Sequence, residues 1–326
     1  MTNTLDTLDT VVHSIALACP TGTSRTYELR AADPDTPLPT FEAGAHIDVH
    51  LGPTLIRQYS LLNSPQDSDR YLICVRRDDT GRGGSTAMHR DLTVGQRLRV
   101  STPRNLFPLL PAERYVLVAG GIGITPLLSM AEELARRGAD FALHHYATAA
   151  EAPLLERLQD APFTDRVHLH DSGNGDSIRT GLPTDLSAPN PTALVYICGP
   201  DGFMRHVTEA ATAAGWQPDQ LHLERFAPAA REPDPATDGE FHVRVASTGD
   251  SYPVPAEMTI AEVLTANGVE VELSCEQGMC GACLTPVLAG EPDHRDEVQT
   301  DDERAANTHI TICCSRARSA ELVLGL

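Results

Sequence analysis

The chain contains no lysine: all 25 of its basic side chains, histidine aside, are arginine, and they face 45 Asp and Glu residues. Chemistry that depends on lysine is therefore excluded, namely the Walker-type phosphate loop, the Schiff base and the pyridoxal site. The net charge of −20 argues against a nucleic-acid partner, because nucleic-acid binders carry positive charge. No apolar run approaches the roughly 20 residues of a membrane span, so no membrane partner is expected.

The first ten residues, MTNTLDTLDT, lack both a basic stretch and an apolar core, so they do not resemble a secretory signal. We therefore expect a cytoplasmic protein. Its eight cysteines are not expected to form disulfides in a reducing compartment. Aromatic residues are scarce, at 5%, but 41% of the 326 residues are hydrophobic, which suffices for the cores of two or three domains.

The acidic charge is concentrated near the C-terminus. From Glu232 onward there are 18 acidic and 5 basic side chains, a net charge of −13. Just before this region, residues 227–239 (APAAREPDPATDG) are rich in Pro, Ala and Asp, a composition typical of a linker. These features predict a separate module at residues 240–326, preceded by a linker at 229–239.

Two further segments are predicted upstream. Residues 1–111 contain short alternating strands with Gly and Pro turns, which predicts an antiparallel β-barrel. Residues 112–228 alternate apolar strands with helices, a pattern typical of a parallel α/β sheet. Its first helix is predicted to be capped by Thr125, with Pro126 at its first position and Gly138 at its end. In the last module, Thr259 and Glu262 have the spacing of a capping box.

Cysteines near the C-terminus have the spacing of a plant-type 2Fe–2S cluster. Cys275, Cys280 and Cys283 form C-x4-C-x2-C, and Cys313 and Cys314 follow after 29 and 30 intervening residues. A tight loop that supplies three thiolates and a distant strand that supplies the fourth match this cluster type. Zinc prefers paired C-x2-C knuckles, of which there is only one here. The spacing alone does not decide between Cys313 and Cys314.

A glycine turn, GGIGITP at residues 120–126, follows an apolar strand and opens a helix. Such a turn lets backbone N–H groups approach a pyrophosphate, although Pro126 replaces the third glycine of the usual fingerprint. A second strand ends in Cys198 and Gly199, and the alternative for this thiol is a small core residue. A third ends in Asp171, which fits either ribose hydroxyls or an ordinary Asx turn.

The barrel segment carries two motifs with phosphate chemistry. In RQYSL at residues 57–61, the fork of Arg57 suits a phosphate and the ring of Tyr59 suits stacking on an isoalloxazine, with Ser60 at its edge. In GRGGST at residues 81–86, backbone N–H groups lead into a short helix and suit a phosphate. The alternative for this second stretch is a hairpin turn.

Taken together and in this order, these motifs resemble the phthalate dioxygenase reductase family, with vanillate demethylase reductase subunits as close kin. The resemblance covers nearly the whole chain. It includes DHRD at residues 293–296, LHLERF at 221–226 and CCSR at 313–316, which is similar to the family's C-V-S-R. This last match aligns Cys313 with the fourth cluster ligand and places Cys314 where the family usually has an apolar residue.

The resemblance implies a multidomain protein: an antiparallel β-barrel flavin domain at 1–111, an α/β parallel-sheet NAD domain at 112–228 and an α+β β-grasp ferredoxin domain at 240–326. It implies that FMN is held by Arg57, Tyr59, Ser60, Leu61, Gly83, Gly84, Ser85 and Phe226. It implies that NADH is held by Gly121, Gly123, Thr125, Pro126, Cys198 and Gly199, with Asp171 at the ribose. The groups expected beside the reacting rings are Cys198, Tyr59, Ser60 and Phe226. The cluster ligands are Cys275, Cys280, Cys283 and Cys313.

The function implied is that of an NADH-dependent reductase component of a multicomponent oxygenase. Electrons pass from NADH through FMN and the 2Fe–2S cluster to a terminal Rieske-type oxygenase of the aromatic-ring dioxygenase or O-demethylase type. The partner would dock at the loop around residues 277–282 onto a monomeric reductase, and salt would weaken this docking because the cluster module is acidic. The alternatives are a reductase for a haem-thiolate monooxygenase and a stand-alone electron-transfer or redox-sensing protein.

Overall fold

The computed structural model describes residues 7–52, 55–81, 83–226, 238–276, 278–296 and 298–326. The chain forms two compact units, one of Asp6–Leu51 and Gln58–Arg225, the other including Gly52–Arg57 and Phe226–Leu326. Most of the predicted linker at 229–239 lies outside the described residues. Among the described residues, no helix is long and apolar enough to cross a membrane.

The first sheet is built from six strands and confirms the predicted antiparallel β-barrel. These strands are β1 (Thr7–Leu17), β2 (Ser24–Ala31), β3 (His46–His50), β4 (Ile56–Ser60), β5 (Tyr71–Arg76) and β6 (Arg97–Ser101), with helix α1 (Gly84–Asp91) between β5 and β6. Their order is β4-β3-β6-β1-β2-β5. Tyr27, Ile47 and Val100 are fully buried in a common core, which fits the alternating pattern of a sheet with one face inside.

The second sheet is parallel throughout, with the strand order β11-β10-β7-β8-β9. Its strands are β7 (Arg114–Gly120), β8 (Asp140–Ala147), β9 (Val167–Asp171), β10 (Ala193–Cys198) and β11 (Leu221–Glu224), and its helices are α2 (Ile124–Arg137), α3 (Leu155–Gln159), α4 (Thr184–Ser187) and α5 (Asp201–Ala214). The chain leaves β7 in one direction for β8 and later returns to β10 on the other side. Ligands bind open α/β sheets at such a switch point, beyond the carboxyl ends of the strands.

The start of α2 differs from the prediction. A 3₁₀ turn at Gly121–Gly123 continues directly into α2, so Gly123 is the cap and Thr125 and Pro126 lie inside the helix. The Thr125 hydroxyl donates to the Ile122 carbonyl at 3.1 Å instead of accepting a cap hydrogen bond. The predicted cap at Thr125 and first position at Pro126 were therefore wrong. The carbonyls of the 3₁₀ turn already accept the first hydrogen bonds of the helix, so the helix begins earlier. The predicted end at Gly138 is confirmed.

The barrel and the parallel sheet share a core within the larger unit. Leu62 of the barrel segment and Leu127 of α2 are fully buried in the same cluster. The Ser129 hydroxyl of α2 donates to the Asn63 carbonyl at 2.9 Å, and the Tyr196 hydroxyl of β10 accepts from a barrel-side backbone N–H at 2.8 Å. These contacts hold the segment that follows β4 and helix α2 in one packed body.

The smaller unit has α+β composition. Its sheet has the order β13-β12-β18-β14-β16, with β12 and β18 parallel. The elements are β12 (Phe241–Val245), β13 (Ser251–Val254), α6 (Ile260–Ala266), β14 (Leu284–Ala289), β15 (Pro292–Asp293), α7 (Asp301–Ala306), β16 (His309–Thr311), β17 (Arg316–Ala317) and β18 (Glu321–Leu324). The predicted capping box of α6 is confirmed: Thr259 and Glu262 exchange both of its hydrogen bonds. The cysteine loop joins α6 to β14.

Candidate functional site

The carboxyl edge of the parallel sheet gathers most of the predicted nucleotide residues. Strand β7 ends at Gly120, β9 at Asp171, β10 at Cys198 and β11 at Glu224. In-register pairing of β10 and β11 puts Cys198 directly beside Glu224. This edge is where open α/β sheets bind ligands, so the fold concentrates the chemistry of these residues at one place.

The glycine turn at this edge is shaped by close backbone contact. A Cβ on Gly123 would lie 2.2 Å from the Cys198 carbonyl oxygen and 2.6 Å from the Gly199 nitrogen, so only glycine allows the two turns to touch. Gly121 has φ +53°, and a Cβ there would meet nothing within 4 Å. The turn is thus closed on one side and open on the other. Open space beside backbone at the start of a helix fits a pyrophosphate.

Thr125 and Pro126 contribute to the shape of this turn. Both side chains are buried in α2, and the Thr125 hydroxyl is directed back to the carbonyl of Ile122. The two residues therefore stabilise the junction between the 3₁₀ turn and the helix. Their predicted contact with the nucleotide remains a prediction.

The buried Cys198 and the half-buried Glu224 form a pair of acidic groups next to the barrel. Burial, with the nearby Glu224 carboxyl, raises the pKa of the Cys198 thiol well above its ordinary value, so the group is a neutral thiol. Burial likewise raises the pKa of Glu224 to about 8, and a hydrogen bond from Ser60 offsets part of this rise. The Ser60 hydroxyl donates to Glu224 Oε2 at 3.4 Å. A carboxyl with such a pKa at a ligand-binding edge indicates a functional group.

Sequence reasoning missed Glu224, although the segment LHLERF was singled out. Part of the signal was available in the sequence. An acidic residue at the carboxyl end of a strand is a candidate for a ligand-binding site when the neighbouring strand ends in Cys-Gly-Pro. What the sequence did not show is that Ser60, 164 residues away, faces the same carboxyl.

Asp171 forms the Asx turn that was the alternative to ribose binding. Its Oδ1 accepts from the Gly173 N–H at 2.9 Å and the Ala149 N–H at 3.2 Å. Its Oδ2 accepts from the Asn174 side-chain amide at 2.6 Å. Each carboxylate oxygen has two lone pairs, so the turn leaves acceptor capacity and a negative charge at the edge of β9.

His144 of β8 and His170 of β9 belong to a hydrogen-bonded chain. The ligand atoms of His144, His168 and Asp185 lie within 4.8 Å of one another, close enough for a metal ion. However, His144 Nε2 donates to Asp185 at 3.1 Å and His144 Nδ1 is 3.1 Å from His170 Nε2. His170 Nδ1 in turn donates to Asp176 at 3.0 Å. Because both His144 nitrogens are engaged, the geometry favours a proton-holding network over a metal site.

Strand β4 carries three of the predicted flavin residues, Arg57, Tyr59 and Ser60. Arg57 Nη1 donates to the Ile56 carbonyl at 2.7 Å. Leu61, which follows the strand, is fully buried, so its side chain packs in the barrel core and only its backbone is a candidate contact. Phe226 is 45% exposed, which leaves its ring accessible for stacking.

The second flavin motif forms the start of α1. Gly83 is the cap, with φ +78°, and a Cβ there would meet nothing within 4 Å. Gly84 is the first helical residue, and the Ser85 hydroxyl accepts from the Asp78 N–H at 3.0 Å, which closes the preceding loop. The space at Gly83 and the following helix start fit a phosphate group of a flavin nucleotide.

The cysteine loop brings the four predicted ligands together. Cys280 Sγ accepts the backbone N–H groups of Cys275 and Ala282, both at 3.5 Å. A hydrogen bond with Cys275, together with burial, raises the pKa of the Cys280 thiol, and a hydrogen bond with Cys283 raises that of Cys313. These hydrogen bonds place the sulfurs of Cys280 and Cys313 next to other thiols of the set. Such crowding of thiols fits an iron–sulfur cluster, whose positive irons favour the deprotonated sulfurs.

Cys314 lies directly beside this set, because a hydrogen bond with Cys313, together with burial, raises the pKa of its thiol. Its Sγ is 3.4 Å from the Thr311 hydroxyl. A Cβ on Gly278, which has φ +77°, would lie 2.6 Å from this sulfur, so Cys314 packs against the backbone of the cluster loop. The choice of Cys313 as the fourth ligand stays a prediction.

A flavin-type β-barrel, a parallel sheet with a dinucleotide turn and a ferredoxin-type cysteine loop together define an iron–sulfur flavoprotein reductase. Comparisons with known proteins agree with this class. The 2Fe-2S iron-sulfur cluster binding domain family matches residues 243–318. The vanillate O-demethylase oxidoreductase of Pseudomonas sp. (strain HR199 / DSM 7063) is 50% identical over 291 residues, which cover 89% of this chain and 91% of that protein.

Two solved structures are similar over nearly the whole chain. A phthalate dioxygenase reductase, described as a modular structure for electron transfer from pyridine nucleotides to a 2Fe–2S centre, is 38% identical with a TM-score of 0.70, and the match covers 98% of both chains. An intact type IV self-sufficient cytochrome P450 monooxygenase is 38% identical with a TM-score of 0.74, and the match covers 98% of this chain and 41% of that one.

The chain belongs to the family of vanillate O-demethylase oxidoreductases and phthalate dioxygenase reductases. It is an oxidoreductase, the reductase component of a multicomponent oxygenase, and it has a 2Fe–2S domain. Its partner is an oxygenase component.

Proposed function

We propose that this reductase takes electrons from NADH, passes them through FMN and the 2Fe–2S cluster, and delivers them to a terminal Rieske-type oxygenase of the ring-dioxygenase or O-demethylase type. The observation that carries the proposal is that one chain combines the flavin strand, the open glycine turn and the four-cysteine loop. We propose domain boundaries of 1–111 for the flavin domain, 112–228 for the NADH domain and 240–326 for the ferredoxin domain. The intervening residues 229–239 act as a linker.

The chain's residues divide the work of holding these groups. When bound, FMN supplies a conversion between the two electrons of a hydride and single electrons, and the 2Fe–2S cluster carries one electron at a time. Without lysine, phosphates must be held by arginine and by backbone N–H groups, so Arg57 and the starts of α1 and α2 take that role. Cys275, Cys280, Cys283 and Cys313 hold the cluster.

At the nicotinamide end, Ser60, Cys198 and Glu224 determine how many protons and how much charge the site carries. Glu224 retains its proton up to about pH 8, so near neutrality the edge of the sheet carries no charge at this position. The Ser60 hydroxyl connects strand β4 to this carboxyl. Cys198 is a neutral, fully buried thiol and serves as a compact wall of the pocket, not as a nucleophile.

The first prediction concerns Glu224→Gln. As pH rises through about 8, Glu224 ionises and places a negative charge beside Ser60, which should slow the transfer of hydride into the site. We expect NADH-driven flavin bleaching to slow above about pH 8 in the wild type and to stay level in the variant. Because the folded carboxyl binds its proton more tightly than the unfolded one, the contribution of Glu224 to stability should decline between about pH 4.5 and 8, and the variant should lack this contribution.

The matched control is Glu209→Gln, an exposed residue of α5. It should leave both pH profiles as they are in the wild type. An unchanged inflection in Glu224→Gln would remove Glu224 from the account of the site.

The second prediction concerns Asp171→Asn. This change keeps an acceptor for the Gly173 N–H and so preserves the Asx turn, but it removes the negative charge that would repel a 2′-phosphate. We expect the ratio of kcat/KM for NADPH to that for NADH to rise. Asp176→Asn, which alters a nearby exposed carboxylate, is the control. Equal ratios in the wild type and both variants would assign Asp171 to the turn alone.

The oxygenase partner is proposed to dock beside the cluster. The predicted docking loop at 277–282 includes Gln277, which lies outside the described residues. Beside the described part of this loop, Val298 is 36% exposed. It lies against Gly281, where an added Cβ would be 3.2 Å from the Val298 side chain. Helix α7 adds exposed acidic residues at its start. An apolar centre with an acidic rim suits a partner that has basic residues around its own redox centre.

A second candidate is delivery of electrons to a haem-thiolate monooxygenase, which the similarity to an intact cytochrome P450 monooxygenase favours. Reconstitution of NADH-dependent turnover with a Rieske oxygenase and, separately, with a cytochrome P450 separates the two. A stand-alone redox sensor would turn over slowly with cytochrome c, so brisk NADH-driven reduction would contradict that reading. The monomeric state and the cytoplasmic location stay predictions.

A further inference from the structure

His145 on β8 is a buried residue directly below the glycine turn. It is 2% exposed, and its backbone pairs with Ala119 one residue before the turn begins. Its Nε2 lies 3.1 Å from the Gly121 carbonyl oxygen. A carbonyl oxygen only accepts hydrogen bonds, so His145 donates. Burial lowers the pKa of this imidazole to about 4, so the donor is a neutral ring throughout the physiological range.

This hydrogen bond sets the orientation of one peptide group. The peptide unit is planar and trans, so its C=O and N–H point in opposite directions. Because the Gly121 carbonyl is directed into the protein at His145, the N–H of Ile122 is directed the other way. Gly121 is also the residue whose Cβ position meets nothing within 4 Å. The N–H of Ile122 therefore points away from His145, and a ligand bound at the open turn could accept its hydrogen bond.

The carbonyl is held from two directions. The backbone N–H of Ile124 donates to the same oxygen as the first hydrogen bond at the end of the 3₁₀ turn. That bond fixes the turn along the chain, and the bond from His145 fixes it against the neighbouring strand. A glycine in the left-handed region, such as Gly121, can adopt other backbone conformations. The tertiary hydrogen bond from His145 therefore selects one of them.

We propose that His145 is a positioning residue for the dinucleotide: it locks the peptide between Gly121 and Ile122 with its N–H aimed at the pyrophosphate of NADH. The inference rests on the proposed NADH site. It adds a residue on a different strand from the turn, one with no contact of its own to the nucleotide. The expected effect is on nucleotide affinity and not on the hydride step.

The test compares His145→Leu, which removes the donor, with His145→Gln, whose side-chain amide keeps one. We expect the KM for NADH to rise roughly 3- to 10-fold in the leucine variant, the range that one hydrogen bond supports, with kcat little changed. The glutamine variant should restore much of the affinity. The hydride donor 1-benzyl-1,4-dihydronicotinamide, which has no phosphate, should reduce all three proteins at the same rate. Flavin content and Tm report on folding.

The outcomes separate the inference from the function beneath it. Failure of the wild type to oxidise NADH would overturn the proposed function itself. With an active wild type, an unchanged NADH KM in His145→Leu would overturn the inference. So would a loss that affects NADH and the phosphate-free donor equally, because that result would show a general structural role.

Discussion

Replacing Cys280 by serine is expected to reduce NADH-driven cytochrome c reduction to background while NADH still bleaches the flavin. Cys280 is the central thiol of the loop and accepts N–H groups from Cys275 and Ala282. Its loss removes one of the four thiolates that a 2Fe–2S cluster needs. The nucleotide turn and Ser60 belong to the other compact unit, so the first half of the electron path should survive.

Cys314→Ser is the matched control, because it removes a thiol close to the cluster loop that packs against Gly278 and Thr311. We expect this variant to keep both its visible iron–sulfur absorption and its cytochrome c activity. If Cys280→Ser keeps both activities, or if Cys314→Ser loses the cluster, the ligand set proposed for this loop is wrong.

Gly123→Ala is expected to cause the largest loss of NADH-dependent activity among single changes in the nucleotide region. The added Cβ would lie 2.2 Å from the Cys198 carbonyl oxygen, and both partners are backbone atoms that cannot rotate away. Overpacking of this kind costs roughly 1–3 kcal/mol, and separating the two turns misplaces the pyrophosphate relative to the nicotinamide. We expect kcat/KM for NADH to fall about tenfold or more, as measured by anaerobic flavin reduction.

Gly138→Ala at the other end of α2 is the control for this change. It has φ +66° and open space at the Cβ position, so alanine there costs roughly 1–2 kcal/mol of backbone strain and touches no ligand. The Tm of this variant should fall, and its NADH kinetics should stay as in the wild type. Reduction by dithionite should proceed in both variants. Wild-type NADH kinetics in Gly123→Ala would contradict the close contact between the two turns.

Features encoded locally could be predicted from the sequence. The capping box of Thr259 and Glu262 spans one helical turn, and three of the cluster cysteines lie within nine residues, so spacing alone specified them. The parallel sheet followed from apolar strands alternating with helices. The start of α2 was predicted wrongly at Thr125. A 3₁₀ turn leads directly into the helix and moves its N-cap to Gly123, two residues earlier.

Contacts between distant strands could not be predicted. The hydrogen bond between Ser60 and Glu224 joins the barrel to the last strand of the parallel sheet. The role inferred for His145 depends on the register between β7 and β8. His145 has no sequence motif that marks it, and the motifs that contain Ser60 and Glu224 do not show that the two side chains meet, because that contact joins elements far apart along the chain. The sequence allowed Asp171 to bind ribose hydroxyls or to form an Asx turn, and the structure shows the Asx turn.

The most direct test of the account is electron paramagnetic resonance of the purified protein after anaerobic addition of NADH, with iron, sulfide and flavin measured on the same sample. The account predicts iron and sulfide in the amounts of a 2Fe–2S cluster, FMN as the extracted flavin, and a reduced-cluster signal that develops with NADH and is absent in Cys280→Ser. A protein that contains zinc instead, or one whose flavin is bleached by NADH while no reduced-cluster signal develops, would contradict it.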